Sequence, residues 1–211
     1  MNAVRQNELY QNEHRLWDQG YKRVMGLDEV GRGCLCGPVV AAGVIIEPYN
    51  YLHNEIQDSK KLTRNKREEL AVKIRSEASF WIVSECTSEE IDQINILKAS
   101  LKAMAACADS EGAVPDYLLV DGNRYPDTLV PHTCLVKGDT LSASIAAASI
   151  LAKVHRDEWM MKIHEVYPEF GWDKNVGYPT KEHYEALLSF GSTPYHRRSF
   201  NLKTTNVYTH R

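Results

Sequence analysis

The sequence has no long hydrophobic segment and few cysteines. Its 211 residues contain no apolar run close to the ~20 residues that a membrane-spanning helix needs, and the N-terminal stretch MNAVRQNELYQNEHRLWDQG is polar rather than signal-like. The five cysteines are an odd number, so they do not form a disulfide framework, and Cys34-x-Cys36 has no second pair to complete a zinc site. These absences exclude membrane-spanning and disulfide-stabilised classes and predict a cytoplasmic globular protein.

A large excess of charge of one sign is also absent. Lysine and arginine number 25 against 28 aspartates and glutamates, which gives a formal net charge of −3 at pH 7. The overall charge therefore does not indicate nucleic-acid binding. Positive charge is concentrated locally in KKLTRNKR at residues 60–67 and in HRR at residues 196–198. Either cluster could contact a phosphate backbone, and the alternative for both is a solvated basic face.

The chain alternates between strand-like and helix-like segments. Apolar runs rich in β-branched residues predict strands over 24–28, 39–46, 80–86, 117–120 and 133–136. Helical spacing predicts helices over 63–78, from 87 to beyond 104, over 142–166 and over 181–190, with a loop over 171–180. Thr63 is a candidate cap for the first helix, and Thr87 with Glu90 makes a capping-box pattern at the start of the second. The small residues SASIAAAS at 142–149 would let the third pack closely on a sheet. This alternation predicts a single α/β domain over residues 1–211, with a polar lead-in over 1–22 and a tail after about residue 200 that could be flexible.

Acidic residues lie at the ends of several predicted strands. Asp28 and Glu29 are adjacent and follow a short apolar segment, where charged groups must be paired or bound to metal. Asp121 and Asp139 follow later strands, and ligands collect at strand ends in α/β sheets. Four carboxylates suit Mg²⁺ or Mn²⁺ rather than zinc, and a pair of such ions supports phosphodiester hydrolysis. Taken singly, each acid could instead be a surface carboxylate or a helix N-cap, and Asp139 is the most open to that alternative.

The geometry of the adjacent acids raises a further expectation. Consecutive residues of a regular strand face opposite sides of a sheet. If Asp28 and Glu29 both reach one metal site, the chain must become irregular there, or one of them must contribute its backbone carbonyl. The glycines that follow, Gly31 and Gly33, make such a departure possible and allow a ligand to approach the backbone closely. Arg32 between them adds a cation that suits phosphate.

Six ordered segments resemble bacterial ribonuclease HII, and together they cover roughly residues 23–200. These segments are DEVGRG at 28–33, DSKKL at 58–62, VDGN at 120–123, KGD at 137–139, SIAAASILAKVHRD at 144–157 and GYPTKEH at 177–183. One of them alone would be a weak signal, whereas the ordered set is highly specific.

The resemblance implies a fold and an activity. The fold would be ribonuclease H-like, with a mixed five-stranded sheet flanked by helices and a C-terminal helical extension. The activity would be that of a monomeric endonuclease that hydrolyses the RNA strand of RNA–DNA hybrids. It would also incise 5′ to single ribonucleotides embedded in duplex DNA, leaving 3′-hydroxyl and 5′-phosphate ends. Two Mg²⁺ or Mn²⁺ ions would act in catalysis, and the enzyme would serve ribonucleotide removal and RNA primer processing.

The resemblance also assigns roles to individual residues. The catalytic metal ligands would be Asp28, Glu29, Asp121 and Asp139. The substrate-binding residues would be Gly31, Arg32, Gly33, Lys60 and Tyr178. Among these, the glycine–arginine–glycine segment would read the ribose 2′-hydroxyl, the lysine would contact phosphate, and the tyrosine would pack against the sugar at the RNA–DNA junction. A backbone reader is chemically reasonable because the 2′-hydroxyl is what distinguishes a ribonucleotide from a deoxynucleotide. Without the resemblance, Lys60 would be a solvated lysine and Tyr178 ordinary loop packing.

Other polar residues of these segments have less specific expectations. Asp157 is expected to be structural or to support the site indirectly, since Lys153 and Arg156 lie at helical spacing for ion pairing. His183 is expected on a helix surface, although it could assist proton handling. The roles of Asp157 and His183 stay open at this stage.

Three alternatives remain for the function. Ribonuclease HIII is the closest, but it carries an extra N-terminal substrate-binding domain and a GKG form of the GRG segment. A non-catalytic hybrid-binding module belongs to a different class, and it would gain nothing from four carboxylates placed against phosphate. A metal-dependent hydrolase of small phosphate esters would need a closed small-molecule pocket, which the sequence does not show.

Overall fold

The computed structural model describes residues 8–52, 56 and 62–202. Within these residues the centre of the molecule is a mixed five-stranded sheet with strand order β3-β2-β1-β4-β5. The strands are β1 Val24–Val30, β2 Val39–Ile45, β3 Phe80–Cys86, β4 Tyr117–Asp121 and β5 His132–Leu135. The first three strands pair antiparallel, whereas β4 and β5 extend the sheet as parallel strands on the other side of β1. The predicted mixed sheet is confirmed.

Helices cover both faces of this sheet. They are α1 Gln11–Asp18, α2 Arg64–Glu77, α3 Ser88–Ile94, α4 Ile96–Ala108, α5 Ala143–Val166, α6 Trp172–Asn175 and α7 Lys181–Phe190. Two of their starts were predicted from capping residues. The Thr63 hydroxyl accepts the Lys66 amide at the start of α2, and Thr87 with Glu90 forms a reciprocal capping box at the start of α3. No helix among the described residues is both long enough and apolar enough to cross a bilayer.

The helix predicted to run from Thr87 past residue 104 is in fact two helices. Asn95 has a φ of 70°, a conformation that cannot continue an α-helix. Its side chain accepts the backbone N–H of Lys98 and thereby caps α4. The apolar spacing continues across the break, so periodicity alone did not reveal it. The predicted loop over 171–180 likewise contains the short helix α6.

The long helix α5 packs directly against the centre of the sheet. A side chain at Gly26 on β1 would overlap the backbone of Ser144, so strand and helix approach each other at backbone distance. Alanines at the start of α5 are fully buried there, as the small-residue stretch predicted: Ala143, Ala146, Ala147 and Ala148. On the opposite face, α4 packs through Ala103 and Cys107 against Met25 and Leu27 of β1. The strand that carries the adjacent acids is therefore buried on both faces.

The N-terminal lead-in contributes to this core through α1. Glu13 of that helix is almost completely buried. Its Oε1 accepts the backbone N–H of Ser144 at 3.0 Å and the hydroxyl of Ser144 at 2.8 Å. Asn12 also donates to the Leu141 carbonyl at 2.9 Å. These contacts attach the lead-in to the start of α5.

A third group of apolar side chains joins the C-terminal part of the chain to the loop after β1. Its buried members are Leu35, Cys36, Met160, Ile163, Phe170, Trp172, Ala186 and Leu187. Backbone hydrogen bonds reinforce the contact. Leu35 donates to Gly177 at 2.8 Å, Gly37 donates to Tyr195 at 2.9 Å, and Arg197 donates to Leu35 at 2.9 Å. The predicted C-terminal helical extension is therefore built onto the segment that follows the acids.

Candidate active site

A cavity of about 390 Å³ opens where β1 and β4 end. It is lined by Asp28, Glu29, Val30, Gly31, Arg32, Gly33, Arg67, Asp121, Ser149, Lys153 and Tyr178. Seven of the nine predicted site residues thus share one cavity. Of the other two, Asp139 lies outside this lining and Lys60 lies outside the described residues.

The sheet itself creates the opening. Parallel pairing of β1 with β4 stops at Leu27 and Val120. Antiparallel pairing of β1 with β2 continues regularly through Asp28, Glu29 and Val30. Irregular strand geometry at the two acids, one of the two expectations for a shared metal site, is therefore not found. Both acids reach the cavity because β1 loses its β4 neighbour at that point.

Asp28 is the most deeply buried acid that lines the cavity. Its exposed fraction is 6%, and one carboxylate oxygen accepts the backbone N–H of Glu29 at 2.7 Å. Burial raises the pKa of this carboxyl well above its ordinary value, and the negative charges of Asp121 and Glu29 raise it further. A hydrogen bond from the Ser149 hydroxyl opposes that rise in pKa. Sequence reasoning assigned no role to Ser149, which lies on α5.

Glu29 is less buried than Asp28 and pairs with Arg32. The Arg32 Nη1 donates to Glu29 Oε1 at 3.1 Å, and half of the arginine side chain is exposed. Burial raises the pKa of Glu29, the charge and hydrogen bond of Arg32 lower it, and Asp121 raises it again. An exposed arginine in such a pair contributes little to stability, so Arg32 remains available to an anionic ligand.

Asp121 and Asp139 are linked through one short turn. Asp121 is the last residue of β4, and its Oδ1 accepts the backbone N–H of Gly138 at 2.6 Å. Asp139 follows in the 3₁₀ turn Gly138–Thr140, where it is buried. The N-cap of α5 is Ser142 rather than Asp139, so the helix-capping alternative for Asp139 is wrong. The structure brings three acids into the cavity and leaves the fourth buried in the adjoining turn.

The carboxylate oxygens of the cavity suit a divalent metal ion, although they are not arranged as a complete metal site. Among the described residues, no three histidine, cysteine, aspartate or glutamate side chains stand close enough to form a ready-made metal site. The available donors are nevertheless carboxylate oxygens, which Mg²⁺ and Mn²⁺ prefer. Burial and mutual repulsion disfavour the charged form of Asp28, and a cation placed among these acids would relieve both.

Sequence comparison gives the family of the chain. The model of the family described as ribonuclease HII matches residues 25–203, which include every residue that lines the cavity. The chain belongs to the ribonuclease HII family. It is 50% identical over 198 residues to ribonuclease HII of Salinibacter ruber, which covers 92% of this chain and 98% of that protein. It is 51% identical over 180 residues to ribonuclease HII of Bacteroides thetaiotaomicron, covering 84% and 88% of the two chains.

Solved structures agree with this assignment. The crystal structure of ribonuclease H2 from Pyrococcus horikoshii matches with a TM-score of 0.73 at 28% identity, covering 85% of this chain and 94% of that one. The predicted ribonuclease H-like fold and the family resemblance are therefore confirmed. As a ribonuclease HII, the chain is a metal-dependent endoribonuclease, which also confirms the predicted enzyme class.

Tyr178 lines the ribonuclease HII cavity together with the GRG segment. Its side chain is 40% exposed, and its hydroxyl hydrogen-bonds the buried thiol of Cys34. Burial raises the pKa of Tyr178, so the phenol stays protonated. The Tyr178 amide donates to the Asn175 carbonyl at 2.9 Å. The ring is therefore held between the loop after β1 and the turn after α6.

Two further basic residues line the cavity, and one of them, Arg67, belongs to the basic cluster at residues 60–67. Arg67 comes from α2 and Lys153 from α5. Lys153 pairs with Asp157 at 2.7 Å, as the helical spacing predicted. The carboxylate thereby orients a cation of the cavity wall. Both residues lie on helices. There the residue type alone does not distinguish a lysine or arginine that lines a cavity from one that is exposed to solvent.

The HRR cluster at residues 196–198 is not a phosphate-binding face. His196 and Arg197 are buried, and only Arg198 is exposed. His183 was also expected at a surface, but it is fully buried. Charged and polar residue types are mostly exposed in proteins, which is why the sequence suggested a surface location. In the interior, hydrogen bonds to other protein groups satisfy the polar atoms of His183, His196 and Arg197.

His183 and His196 form a buried pair whose proton positions follow from their neighbours. The Thr193 amide donates to His196 Nδ1 at 2.9 Å, so that nitrogen carries no proton. His196 Nε2 must then donate to His183 Nε2, 3.0 Å away. His183 Nε2 also accepts from Trp172 Nε1 at 3.2 Å, and its Nδ1 donates to the Tyr178 carbonyl at 2.9 Å. Two neutral imidazoles thus hold the backbone of the cavity tyrosine.

Acid is expected to destabilise the protein through this pair. Burial lowers the pKa of His183, and burial together with His183 lowers the pKa of His196 to about 3. An unfolded histidine titrates near pH 6.5. The stability contribution is therefore fully present above about pH 6.5 and is lost as the pH falls toward about 3. We expect a loss on the order of 2–3 kcal/mol in unfolding free energy between pH 6.5 and pH 4.

Urea denaturation of the wild type and of His196→Gln at several pH values measures this dependence. The variant should show a shallower pH slope because it lacks the buried imidazole. The matched control is His155→Gln, since His155 is 40% exposed on α5 and pairs with Glu85 at 3.3 Å. Equal slopes in wild type and His196→Gln would contradict the prediction.

Proposed function

We propose that this ribonuclease HII hydrolyses the RNA strand of RNA–DNA hybrids and incises 5′ to single ribonucleotides embedded in duplex DNA. The products would carry 3′-hydroxyl and 5′-phosphate ends. The observation that carries the proposal is that three carboxylates, the GRG segment and Tyr178 line the same cavity. Groups suited to phosphodiester hydrolysis and groups suited to ribose recognition are thus close enough to act on one nucleotide.

The proposed metal ligands are the four predicted acids. Asp28, Glu29 and Asp121 would hold Mg²⁺ or Mn²⁺, and Asp139 would complete a two-ion site from the adjoining turn. When bound, such ions activate water and stabilise the charge that develops on the scissile phosphate. The protein keeps the ligands oriented through the Ser149 hydroxyl on Asp28 and, at 2.6 Å, the Gly138 amide on Asp121. No side-chain nucleophile is required.

The proposed ribose contacts are backbone atoms and one ring. Gly33 is exposed in the cavity wall, and a Cβ built on it would meet no atom within 4 Å. Open space beside an exposed backbone allows the ribose to approach closely. The ring of Tyr178, which lines the same cavity, would pack against the sugar at the RNA–DNA junction. A close fit on both sides is what discrimination by a single hydroxyl requires.

The proposed phosphate contacts are cations of the cavity wall. Arg32 is half exposed, and Arg67 and Lys153 line the cavity beside the acids. Arginine suits bidentate phosphate contact and lysine acts as a point charge. Lys60 stays a prediction for this role, because it lies outside the described residues.

A panel of substrates tests the proposed function. A DNA duplex with one ribonucleotide, an RNA–DNA hybrid and a small phosphate ester are each incubated with Mg²⁺, Mn²⁺ or chelator. We expect incision on the 5′ side of the single ribonucleotide, abolished by chelator and by Asp121→Asn. Cleavage of continuous RNA alone would favour the ribonuclease HIII-like alternative. Duplex binding without cleavage under any metal would favour a non-catalytic module.

Removing the ring of Tyr178 is expected to impair junction recognition selectively. Tyr178→Ala should lower kcat/KM for the single-ribonucleotide duplex by roughly 10–100-fold and should affect a continuous hybrid less. The reason is that a duplex with one ribonucleotide offers one ribose for the enzyme to position, so misplacing that ribose lowers the rate most. Tyr178→Phe loses only the hydrogen bond to Cys34 and should stay within about 3-fold of wild type. Steady-state kinetics on both substrates measures this. The control is Tyr125→Ala, an exposed tyrosine outside the cavity lining, and equal losses on both substrates would contradict the prediction.

The wider role follows from the same activity. We propose that the described residues form one catalytic domain. The protein would act as a monomer, and it would act in the cytoplasm. The enzyme would remove misincorporated ribonucleotides and process RNA primers. The match of the ribonuclease HII model over residues 25–203 supports this activity over that of ribonuclease HIII.

A further inference from the structure

Two arginines are completely buried behind the GRG segment. Arg156 lies on α5 and Arg197 lies in the segment after α7, and both have an exposed fraction of 0%. Neither guanidinium forms an ion pair with a carboxylate within the described residues. Burying a charge without a counter-charge is costly, so packing alone does not account for two such residues. The geometry of their hydrogen bonds gives a better reason.

Arg156 joins the loop after β1 to the loop that carries Tyr178. Its Nε donates to the Pro38 carbonyl at 3.0 Å and its Nη2 donates to the Cys36 carbonyl at 3.0 Å. Its Nη1 donates to the Val176 carbonyl at 2.8 Å, two residues before the tyrosine. One planar group therefore fixes three carbonyls from two loops.

Arg197 links the two ends of the loop after β1 through hydrogen bonds to their carbonyl groups. Its Nη1 donates to the carbonyl of Arg32 at 3.0 Å. Its Nε and Nη2 both donate to the carbonyl of Gly37, at 3.0 and 2.9 Å. The ring of Phe200 lies 5.1 Å from the guanidinium carbon and covers its other side. The GRG segment and the far end of its loop are thus held by the same side chain.

These six hydrogen bonds draw carbonyl oxygens into the protein interior. Within the described part of the chain, the amides of Arg32 and Gly33 donate to no protein acceptor. The peptide units of the segment are therefore oriented with the Arg32 carbonyl inward and with amides left for a ligand. A side chain at Gly31 would overlap the Arg156 guanidinium, so the segment rests directly on this pair.

We propose that Arg156 and Arg197 are positioning residues that set the GRG segment against Tyr178, and that selection of a single ribonucleotide depends on them. This inference rests on the proposed function for its consequence in catalysis. Neither arginine lines the cavity. They act through the backbone of the segment that would read the ribose. Their planar fork is essential, because lysine keeps the charge but cannot bond two separated carbonyls in fixed directions.

The test compares Arg197→Lys with Arg198→Lys. The two positions are adjacent, and the Arg198 side chain is exposed. For Arg197→Lys we expect kcat/KM on the single-ribonucleotide duplex to fall roughly 10–100-fold, mainly through kcat, and activity on a continuous hybrid to fall less than about 3-fold. Arg198→Lys should match wild type on both substrates. Equal losses on both substrates, or no loss, would overturn the inference.

Hydrogen exchange supplies a readout that is independent of cleavage. In Arg197→Lys, the hydrogen-bonded amides of Cys34, Leu35 and Gly37 should exchange faster than in wild type while β1 and β2 keep their protection. Unchanged exchange in that loop would overturn the inference. If Arg197→Lys does not fold, Arg156→Lys is judged by the same substrate ratio and by amide exchange at residues 36–37 and 176–178. A wild type that cleaves only continuous RNA would refute the proposed function, and the exchange comparison would still decide whether the arginines hold the loops.

Discussion

Asp28→Asn is expected to abolish hydrolysis and, at the same time, to stabilise the fold. Activity on an RNA–DNA hybrid should fall by at least about 10³-fold, because the variant removes a buried charged oxygen donor from the proposed metal site. The unfolding free energy should rise by on the order of 1 kcal/mol, since asparagine removes repulsion with Asp121 and Glu29. Its amide can still accept the Glu29 N–H that Asp28 accepts at 2.7 Å.

Three measurements separate the parts of this prediction. Single-turnover cleavage gives the loss of activity, and urea denaturation in chelator gives the gain in stability. Thermal unfolding with added Mg²⁺ gives the metal contribution, because an ion that binds only the folded protein raises Tm. The rise in Tm with Mg²⁺ should be smaller in Asp28→Asn than in wild type. The control is Asp109→Asn, an exposed acid at the end of α4. Lower stability in chelator together with retained cleavage would contradict the prediction.

Alanine substitutions at the two glycines of the GRG segment are expected to change different properties. Gly31→Ala should lower stability, whereas Gly33→Ala should impair cleavage of the substrate. Gly31 has a φ of +93°, and an added Cβ would overlap the Arg156 guanidinium. Gly31→Ala should therefore lower the unfolding free energy by about 2–4 kcal/mol. Gly33 has no positive φ and has open space around it. Gly33→Ala should change stability by less than about 0.5 kcal/mol.

The same pair separates folding from substrate recognition. Gly33→Ala should lower kcat/KM for a single-ribonucleotide duplex by roughly 10–100-fold, because its methyl group would occupy space proposed for the ribose. Denaturation curves and kinetics on both nucleic-acid substrates, measured for both variants, test this. The interpretation would fail if Gly33→Ala unfolded as readily as Gly31→Ala, or if it cleaved the single-ribonucleotide duplex like wild type.

Much of the fold was predictable because its local signals agree with its tertiary packing. The apolar run over 39–46 is a strand over Val39–Ile45, and Thr63 and Thr87 begin helices as their capping patterns indicated. The break at Asn95 was missed because the apolar spacing on either side continues in one helical phase. Asn95 itself was the local signal, because asparagine is favoured at helix N-caps and is enriched at positive φ.

The candidate site was predictable to the extent that it lies at strand ends. Asp28 and Asp121 end short apolar strands, and the structure brings both into one cavity. Ser149 and Lys153 were missed as site residues because they lie on a helix whose orientation the sequence does not give. Asp139 illustrates a different limit. Its position between a strand and a helix was correctly expected, but its burial in a 3₁₀ turn depends on tertiary contacts.

The long reach of Arg197 limits how far the GRG segment can be treated as a self-contained motif. This arginine bonds the carbonyl of Arg32 across 165 positions of sequence, and Arg156 bonds Cys36 across 120. If the loop after β1 were placed in another protein, it would lack both guanidinium groups. Its carbonyl oxygens would then have no donors to fix their orientation. A protein that shared only the residues of the GRG segment would therefore not share the orientation of its backbone. The proposed recognition of the ribose is thus a property of the whole domain rather than of a three-residue segment.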